Sequence, residues 1–166
     1  MSKKAAILII IVALLSAGVF LMLNGTQATV QVETALNSLL SCTMEEAEKF
    51  DAALAPKLPA EGTGISSQGD ELDALLAERY GDSMTEDCIY KLAANRTFYR
   101  SVKLAKANNC DILMSELKLT AEGGDKNTFG FSAVLTANGA VVDSVSGTVR
   151  MTTVNSQWKA DLISIN

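Results

Sequence analysis

The stretch NTFGFSAVLTANGAVVDSVSGTVRMTTVNSQWKADLISI, residues 127–165, carries the clearest structural pattern in this chain. Its first part alternates apolar side chains with smaller or polar ones, as a half-buried strand does: Phe129, Phe131, Ala133 and Leu135. Asn138-Gly139 follows, and both residues tolerate the positive φ that a tight hairpin requires. Asn155-Ser156 marks a second turn before the final strand, QWKADLISI. The stretch therefore predicts an antiparallel meander.

Further strands are predicted immediately upstream. In DILMSELKLTAE the leucines 113, 117 and 119 alternate with charged or polar neighbours, which indicates a half-buried strand. Gly123-Gly124-Asp125 would turn the chain into the meander, and the residues from Asn108 to Asp111 would form the turn before the strand. In the segment TFYRSVKLAKA, residues 97–107, apolar and polar residues do not alternate regularly, but we interpret it as another strand.

Helices are predicted for the earlier part of the chain. Apolar residues recur at helical spacing from Ala28 to Leu40, and a second helix follows Cys42. Thr43 and Glu46 form a capping-box pattern at its start, so Cys42 lies in the break between the two helices. Asp70 and Thr85 are candidate caps of two further helices. Helices first and antiparallel strands last predict an α+β fold.

An uncharged apolar run, AAILIIIVALLSAGVFLML, occupies residues 5–23. As a helix it would be about 28 Å long, close to the hydrocarbon thickness of a bilayer. Lys3 and Lys4 precede it, so the positive-inside rule predicts a cytoplasmic N-terminus. We therefore expect an uncleaved membrane anchor over residues 1–28, with a cytoplasmic head of residues 1–4, and an extracytoplasmic domain over residues 29–166. Cys42 is too far from the apolar run to be a lipidated cysteine.

Composition excludes several functions. The net charge of −5 and the lack of a basic stripe argue against nucleic-acid binding. Histidine is absent, which removes the most frequent general base and most transition-metal sites. No phosphate-binding glycine loop or paired-cysteine motif is present. We therefore expect no cofactor, no metal site and no catalytic residue.

The order of elements resembles the NTF2-like (SnoaL-like, cystatin-like) superfamily. The resemblance is carried by ALNSLLSCTMEEAEKF, residues 35–50, and by GTVRMTTVNSQWKADLISI, residues 147–165. The anchor followed by such a domain is similar to membrane-anchored extracytoplasmic NTF2-like proteins of Gram-positive bacteria. The resemblance implies a cone, in which helices pack on the concave face of a curved antiparallel sheet and leave room for a pocket.

The resemblance also suggests which residues to consider for binding or catalysis. Four apolar residues are candidates for the lining of a pocket, with core packing as the alternative: Leu117, Phe129, Phe131 and Leu135. Isomerases of this superfamily use aspartate and tyrosine, and the residues of those types are Asp87, Asp111, Tyr90 and Tyr99. Ordinary roles in capping, turns and packing are favoured for these four.

Three cysteines leave the disulfide pairing open. A Cys88–Cys110 bond is the first expectation in this fold, a Cys42–Cys88 bond follows, and three free thiols are an equal alternative. The leading functional hypothesis is a non-enzymatic, single-pass cell-membrane protein whose extracytoplasmic domain binds an apolar ligand or a protein, with self-association as one form of assembly. The alternatives are a pocket enzyme of the ketosteroid-isomerase type and a component of a conjugation or secretion complex.

Overall fold

The computed structural model describes residues 27–55, 68–122 and 127–166 of the chain. The apolar run of residues 5–23 and the turn at residues 123–125 lie outside these ranges, whereas residues 27–28, assigned to the anchor segment, begin the first described helix. Five helices precede four strands in the described residues. The helices are α1 (residues 27–40), α2 (Met44–Leu54), α3 (Gln68–Tyr80), α4 (Glu86–Ala94) and α5 (Tyr99–Asn108). The strands are β1 (Ile112–Ala121), β2 (Thr128–Ala137), β3 (Ala140–Val154) and β4 (Gln157–Ile165).

The predicted helix starts are confirmed at two threonines. Thr43 accepts a hydrogen bond from the backbone N–H of Glu46, and the Glu46 carboxylate accepts one from the backbone N–H of Thr43. This reciprocal capping box begins α2 where the sequence places it. Thr85 caps α4 by accepting from the backbone N–H of Cys88. Asp70, the other candidate cap, lies inside the first turn of α3.

The four strands form one antiparallel sheet in the order β1-β2-β3-β4, and the fold class is α+β. Both predicted hairpin turns are confirmed. Asn138 and Gly139 have φ values of 49° and 79°, and Asn155 and Ser156 have values of 49° and 66°. Two consecutive residues with positive φ match the right-handed twist of the flanking strands, which explains why these tight turns join them.

The prediction of a strand over residues 97–107 is wrong, because most of this segment belongs to the helix α5. Phe98, Val102 and Ala105 are all buried and recur at intervals of four and three residues, which is helical spacing. Asn109, with φ 51° in the left-handed region, ends the helix, because that conformation cannot continue it. This helical period was not recognised in the sequence because Ala105 is a small residue and gives a weak apolar signal.

A bulge changes which side chains of β1 face the helices. The strand gains one residue relative to β2 between Ser115 and Lys118, and Glu116 has a φ of 50°. An inserted residue moves the following side chains to the other face. Leu117 and Leu119 consequently pack against the core, whereas Leu113 is 60% exposed. The sequence prediction that all three leucines share one face is wrong for Leu113.

One core joins the helices to one face of the sheet. Its largest fully buried side chains come from both layers: Tyr80, Phe98, Leu36, Leu39, Leu40, Leu76, Met84, Ile112, Leu135, Met151, Val32 and Val102. Cys42 exchanges backbone hydrogen bonds with Ile112 at the β1 edge. On the opposite edge, Ala160 of β4 bonds the backbone of Ser83 and Thr85. The segments between the helices therefore cover part of each sheet edge, which limits edge-to-edge aggregation.

Candidate functional site

A cleft of about 460 Å³ opens where the break between α1 and α2 meets α3 and the start of β1. We call it the Arg79 cleft. Its lining combines polar, charged and apolar side chains: Asn37, Ser38, Ser41, Cys42, Thr43, Glu46, Lys49, Phe50, Leu75, Glu78, Arg79, Ile112 and Leu113. The volume lies within the range of ordinary ligand sites.

Arg79 organises this cleft from the last turn of α3. Its side chain is only 12% exposed. The Nε group donates to the carbonyl of Ser38 at 3.0 Å, and Nη2 donates to the carbonyl of Ser41 at 2.6 Å. These carbonyls belong to the end of α1 and the break after it, where a helix leaves carbonyl groups without intrahelical partners. Arg79 therefore stabilises the C-terminal end of α1 from a neighbouring helix.

Glu46 completes the arrangement from α2. Its Oε1 pairs with Nη1 of Arg79, while its Oε2 accepts from the backbone N–H of Thr43 at 2.8 Å. Burial raises the pKa of Glu46, but hydrogen bonds from Arg79 and Thr43 outweigh burial and hold the pKa below its ordinary value. One carboxylate thus caps α2 and neutralises a nearly buried guanidinium.

Two aromatic rings lie beside the guanidinium. Its central carbon is 5.9 Å from the ring centre of Phe50 and 5.6 Å from that of Tyr80. These distances fit cation–π contacts. The Tyr80 hydroxyl is buried and has no hydrogen bond of ordinary geometry among the described residues, although the Arg79 guanidinium lies close enough to lower its pKa. Burial raises the pKa of Tyr80 to about 12, so the hydroxyl stays protonated near neutral pH.

Cys42 forms part of the cleft wall, but its thiol is poorly suited to act as a nucleophile. Its residue is 2% exposed, and burial raises the pKa of its thiol to about 11 although Arg79 lowers it. A thiol with such a pKa carries very little thiolate near neutral pH and is a weak nucleophile. With its charges balanced between Glu46, Glu78, Lys49 and Arg79, the cleft is suited to recognition by shape and hydrogen bonding.

The sequence did not single out Arg79. Its pairing with Glu46 joins residues 33 positions apart and leaves no local pattern. One signal was present: Arg79 follows Leu75 by four residues and Leu76 by three, so it lies on the apolar face of its helix. A charged residue in that position requires a buried partner.

The four apolar residues considered for a pocket belong to the core or pack against it. Phe131 and Leu135 are 5% and 0% exposed. Leu117 and Phe129 are partly buried against the same core. None of the four lines the Arg79 cleft.

The acidic and tyrosine candidates are dispersed over the domain. Asp87 is exposed and pairs with Lys91 one turn along α4. Asp111 is exposed and accepts from the backbone N–H of Met44 at 2.8 Å, which adds a second cap to α2. Tyr90 is 72% exposed. The Tyr99 hydroxyl donates to Asp51 at 2.8 Å and ties α5 to α2.

All three cysteines have free thiols in this structure, which therefore contains no Cys88–Cys110 bond. Cys88 lies in α4, which contacts β4, whereas Cys110 immediately precedes β1. β1 and β4 are the two opposite edges of the sheet. Three strand spacings of about 4.8 Å separate these edges, more than a disulfide can span.

The chain matches no family model, no curated protein and no solved structure at a significant level. Every helix within the described ranges is too short or too polar to cross a bilayer. Nor do the described residues group three or more Cys, Asp or Glu side chains in a way that could hold a metal ion.

Proposed function

We propose that this chain is a single-pass membrane protein, anchored through residues 5–23, whose NTF2-like domain lies outside the cytoplasm and binds a protein partner at the Arg79 cleft. The observation that carries the proposal is the guanidinium of Arg79, 12% exposed and fixed by two carbonyls and one carboxylate. A site whose polar groups are already held in place loses little conformational entropy on binding.

The cleft has the composition of a small recognition surface. Leu113 stands at its margin with 60% of its surface exposed, and partly buried Leu75 adds apolar area. Serine, threonine and asparagine side chains surround them. Apolar area beside hydrogen-bonding side chains is a combination that protein interfaces use.

The direction of α1 favours this cleft as the displayed site. Its described part starts at residue 27, close to the proposed anchor, and ends at residue 40, beside the cleft. Fourteen helical residues extend about 21 Å. If the anchor lies in the membrane, the cleft lies at the end of α1 that is farther from the point of attachment, where a partner can reach it.

Site-specific photocrosslinking in membranes tests partner binding. The photoreactive p-benzoylphenylalanine replaces Leu113 at the cleft or Tyr90 on α4, which is 72% exposed and serves as the matched control. We expect an adduct of defined mass at position 113 that is absent at position 90. Glu78→Arg, a change at an exposed cleft residue, should weaken the adduct. Equal adducts at both positions, or none at position 113, would contradict the proposal.

Topology is tested independently by adding protease to intact protoplasts. The domain should be digested under these conditions while a cytoplasmic marker protein survives. Protection of the domain until the membrane is disrupted would refute the proposed orientation.

A further inference from the structure

A second groove lies along the N-terminal half of the described part of α1, and it adjoins the Arg79 cleft where the hydroxyls of Ser83 and Ser38 are 3.5 Å apart. It has a volume of about 740 Å³ and is formed by the first described turns of α1, the α3–α4 turn and the β3–β4 hairpin. We call it the hairpin groove. The residues that line it are Gln27, Val30, Gln31, Thr34, Asp82, Ser83, Ser156, Gln157 and Trp158.

The chemistry of the hairpin groove is amphipathic and almost uncharged. Val30 is 52% exposed, and Trp158 is half-buried, with one part against the core and another part in the groove. Most other lining side chains are amides or hydroxyls, and Asp82 is the only ionisable one among the described residues of the groove. Tryptophan is enriched at membrane–water interfaces because its ring has an apolar body and a polar N–H.

The covalent chain limits where this groove can be. Only residues 24–26 separate the apolar run, which ends at Leu23, from Gln27 at the groove. Four peptide steps span at most about 14 Å even when fully extended. An anchor in the bilayer would therefore hold the Gln27 end of the hairpin groove within or next to the headgroup layer, which is roughly 5–8 Å thick on each side.

We infer that the hairpin groove rests on the lipid–water interface of the membrane that contains residues 5–23, with Val30 and Trp158 at the level of the headgroups. The inference rests on the proposed anchor. Tethering gives the groove a high effective concentration at the bilayer, so weak contacts suffice to orient the domain. Because none of the described residues that line the groove is basic, the contact needs no anionic lipid.

The chain contains a single tryptophan, which makes Trp158 a direct reporter. The full chain is reconstituted into phosphatidylcholine vesicles that carry a nitroxide quencher either near the headgroup or near the acyl-chain end. We expect the headgroup quencher to remove roughly half of the Trp158 emission and the deep quencher to remove much less, as for a ring at the interface. Adding anionic lipid should leave the quenching unchanged.

The matched control moves the reporter to the other end of α1. Trp158→Phe combined with Leu113→Trp places the only tryptophan at the Arg79 cleft, where the headgroup quencher should have little effect. Val30→Glu should reduce the quenching of Trp158 while leaving the unfolding temperature unchanged, since Val30 is largely exposed.

The outcomes separate this inference from the proposed function. Failure of the chain to float with the vesicles refutes the anchor itself. Flotation with an unquenched Trp158, or with equal quenching at positions 158 and 113, overturns the inference and leaves the anchor intact. If Trp158 emission instead changes with the density of protein in the vesicles and not with the quencher, the inference is overturned. The groove would then be covered by a second copy of the chain and not by lipid.

Discussion

The guanidinium of Arg79 on α3 pairs with the carboxylate of Glu46 on α2, and the same guanidinium bonds the chain where α1 ends. Three helices that are separate in sequence therefore meet at one side chain. This contact defines the candidate site and also contributes to the stability of the fold.

Replacement of Arg79 should be strongly destabilising. Arg79→Gln leaves two carbonyls and one carboxylate without their charged partner, and we expect a loss of about 2–4 kcal/mol in the free energy of unfolding, measured by urea denaturation. The free energy of unfolding of Arg79→Lys should lie between that of the unsubstituted protein and that of Arg79→Gln. Lysine keeps the positive charge but lacks the planar fork that reaches several acceptors at once.

The control for Arg79 is an exposed ion pair. Lys91 pairs with Asp87 along α4, and their side chains are 45% and 69% exposed. Lys91→Gln should cost only about 0.3–0.5 kcal/mol. An Arg79→Gln effect no larger than this control would show that the Arg79 contacts contribute little to stability.

Removal of the Tyr80 hydroxyl should stabilise the protein. The hydroxyl is buried without a hydrogen bond of ordinary geometry among the described residues, and the nearby Arg79 guanidinium only partly offsets this. Burial of an unsatisfied hydroxyl costs roughly 1–3 kcal/mol. We expect Tyr80→Phe to gain about 1 kcal/mol, visible as a higher urea midpoint. A loss of stability would indicate that the hydroxyl forms a favourable interaction.

The same variant should change the alkaline limit of stability. Burial raises the pKa of Tyr80 from 10.0 to about 12, so the unfolded chain loses this proton before the folded one does. The contribution of the group is therefore complete below pH 10 and declines as pH rises from 10 towards 12. Tyr80→Phe should flatten this decline in a series of unfolding measurements.

Much of this architecture follows from local sequence, and the exceptions have local causes. The turns at Asn138-Gly139 and Asn155-Ser156 and the capping box at Thr43 depend on residue types at adjacent or nearby positions, so they were predictable. α5 was missed because Ala105 and the neighbouring polar residues hide a helical period. The β1 bulge was missed because Glu116, which is not glycine, has the positive φ.

The candidate site was less predictable than the fold. The sequence located the break at Cys42 and its cap, which form one wall of the Arg79 cleft. It did not indicate that α3 brings Arg79 against that break, because packing between distant helices leaves no periodic signal. Leu113 became part of the exposed margin only through the bulge that follows it.

Acid should weaken the attachment of α5 to β3. Nε of Arg100 donates to Oδ2 of Asp143 at 2.8 Å, and this hydrogen bond holds the pKa of Asp143 below its ordinary value of 3.8. The stabilising contribution is therefore present above pH 3.8 and is lost as pH falls through the lower folded-state pKa. Asp143→Asn should flatten the acid limb of stability against pH, and Arg100→Gln should do the same. An acid limb of unchanged slope in both variants would exclude this pair as its source.

The three thiols should react at different rates in the native protein. Cys42 and Cys88 are 2% and 1% exposed, and burial raises the pKa of both from 9.0 to about 11. Two pKa units reduce the thiolate fraction about 100-fold, and steric protection slows the reaction further. Iodoacetamide should therefore modify half-buried Cys110 first, with similar rates for all three cysteines in denaturant. A mass lower by two hydrogens than that of the reduced chain would instead reveal a disulfide.

A methyl group should have opposite effects at two glycines. A Cβ at Gly147 would lie 2.0 Å from the backbone oxygen of Ser164 and 3.0 Å from the Phe131 ring. Since β3 and β4 would have to separate, Gly147→Ala should cost about 1–3 kcal/mol or more. A Cβ at Gly69, in the first turn of α3, meets nothing within 4 Å, and Gly69→Ala should add about 0.5–1 kcal/mol by restricting the unfolded chain. Urea unfolding of both variants tests the prediction. A Gly147→Ala variant as stable as the parent would mean that β4 can move away from Gly147 at little cost, and the position would then not require glycine.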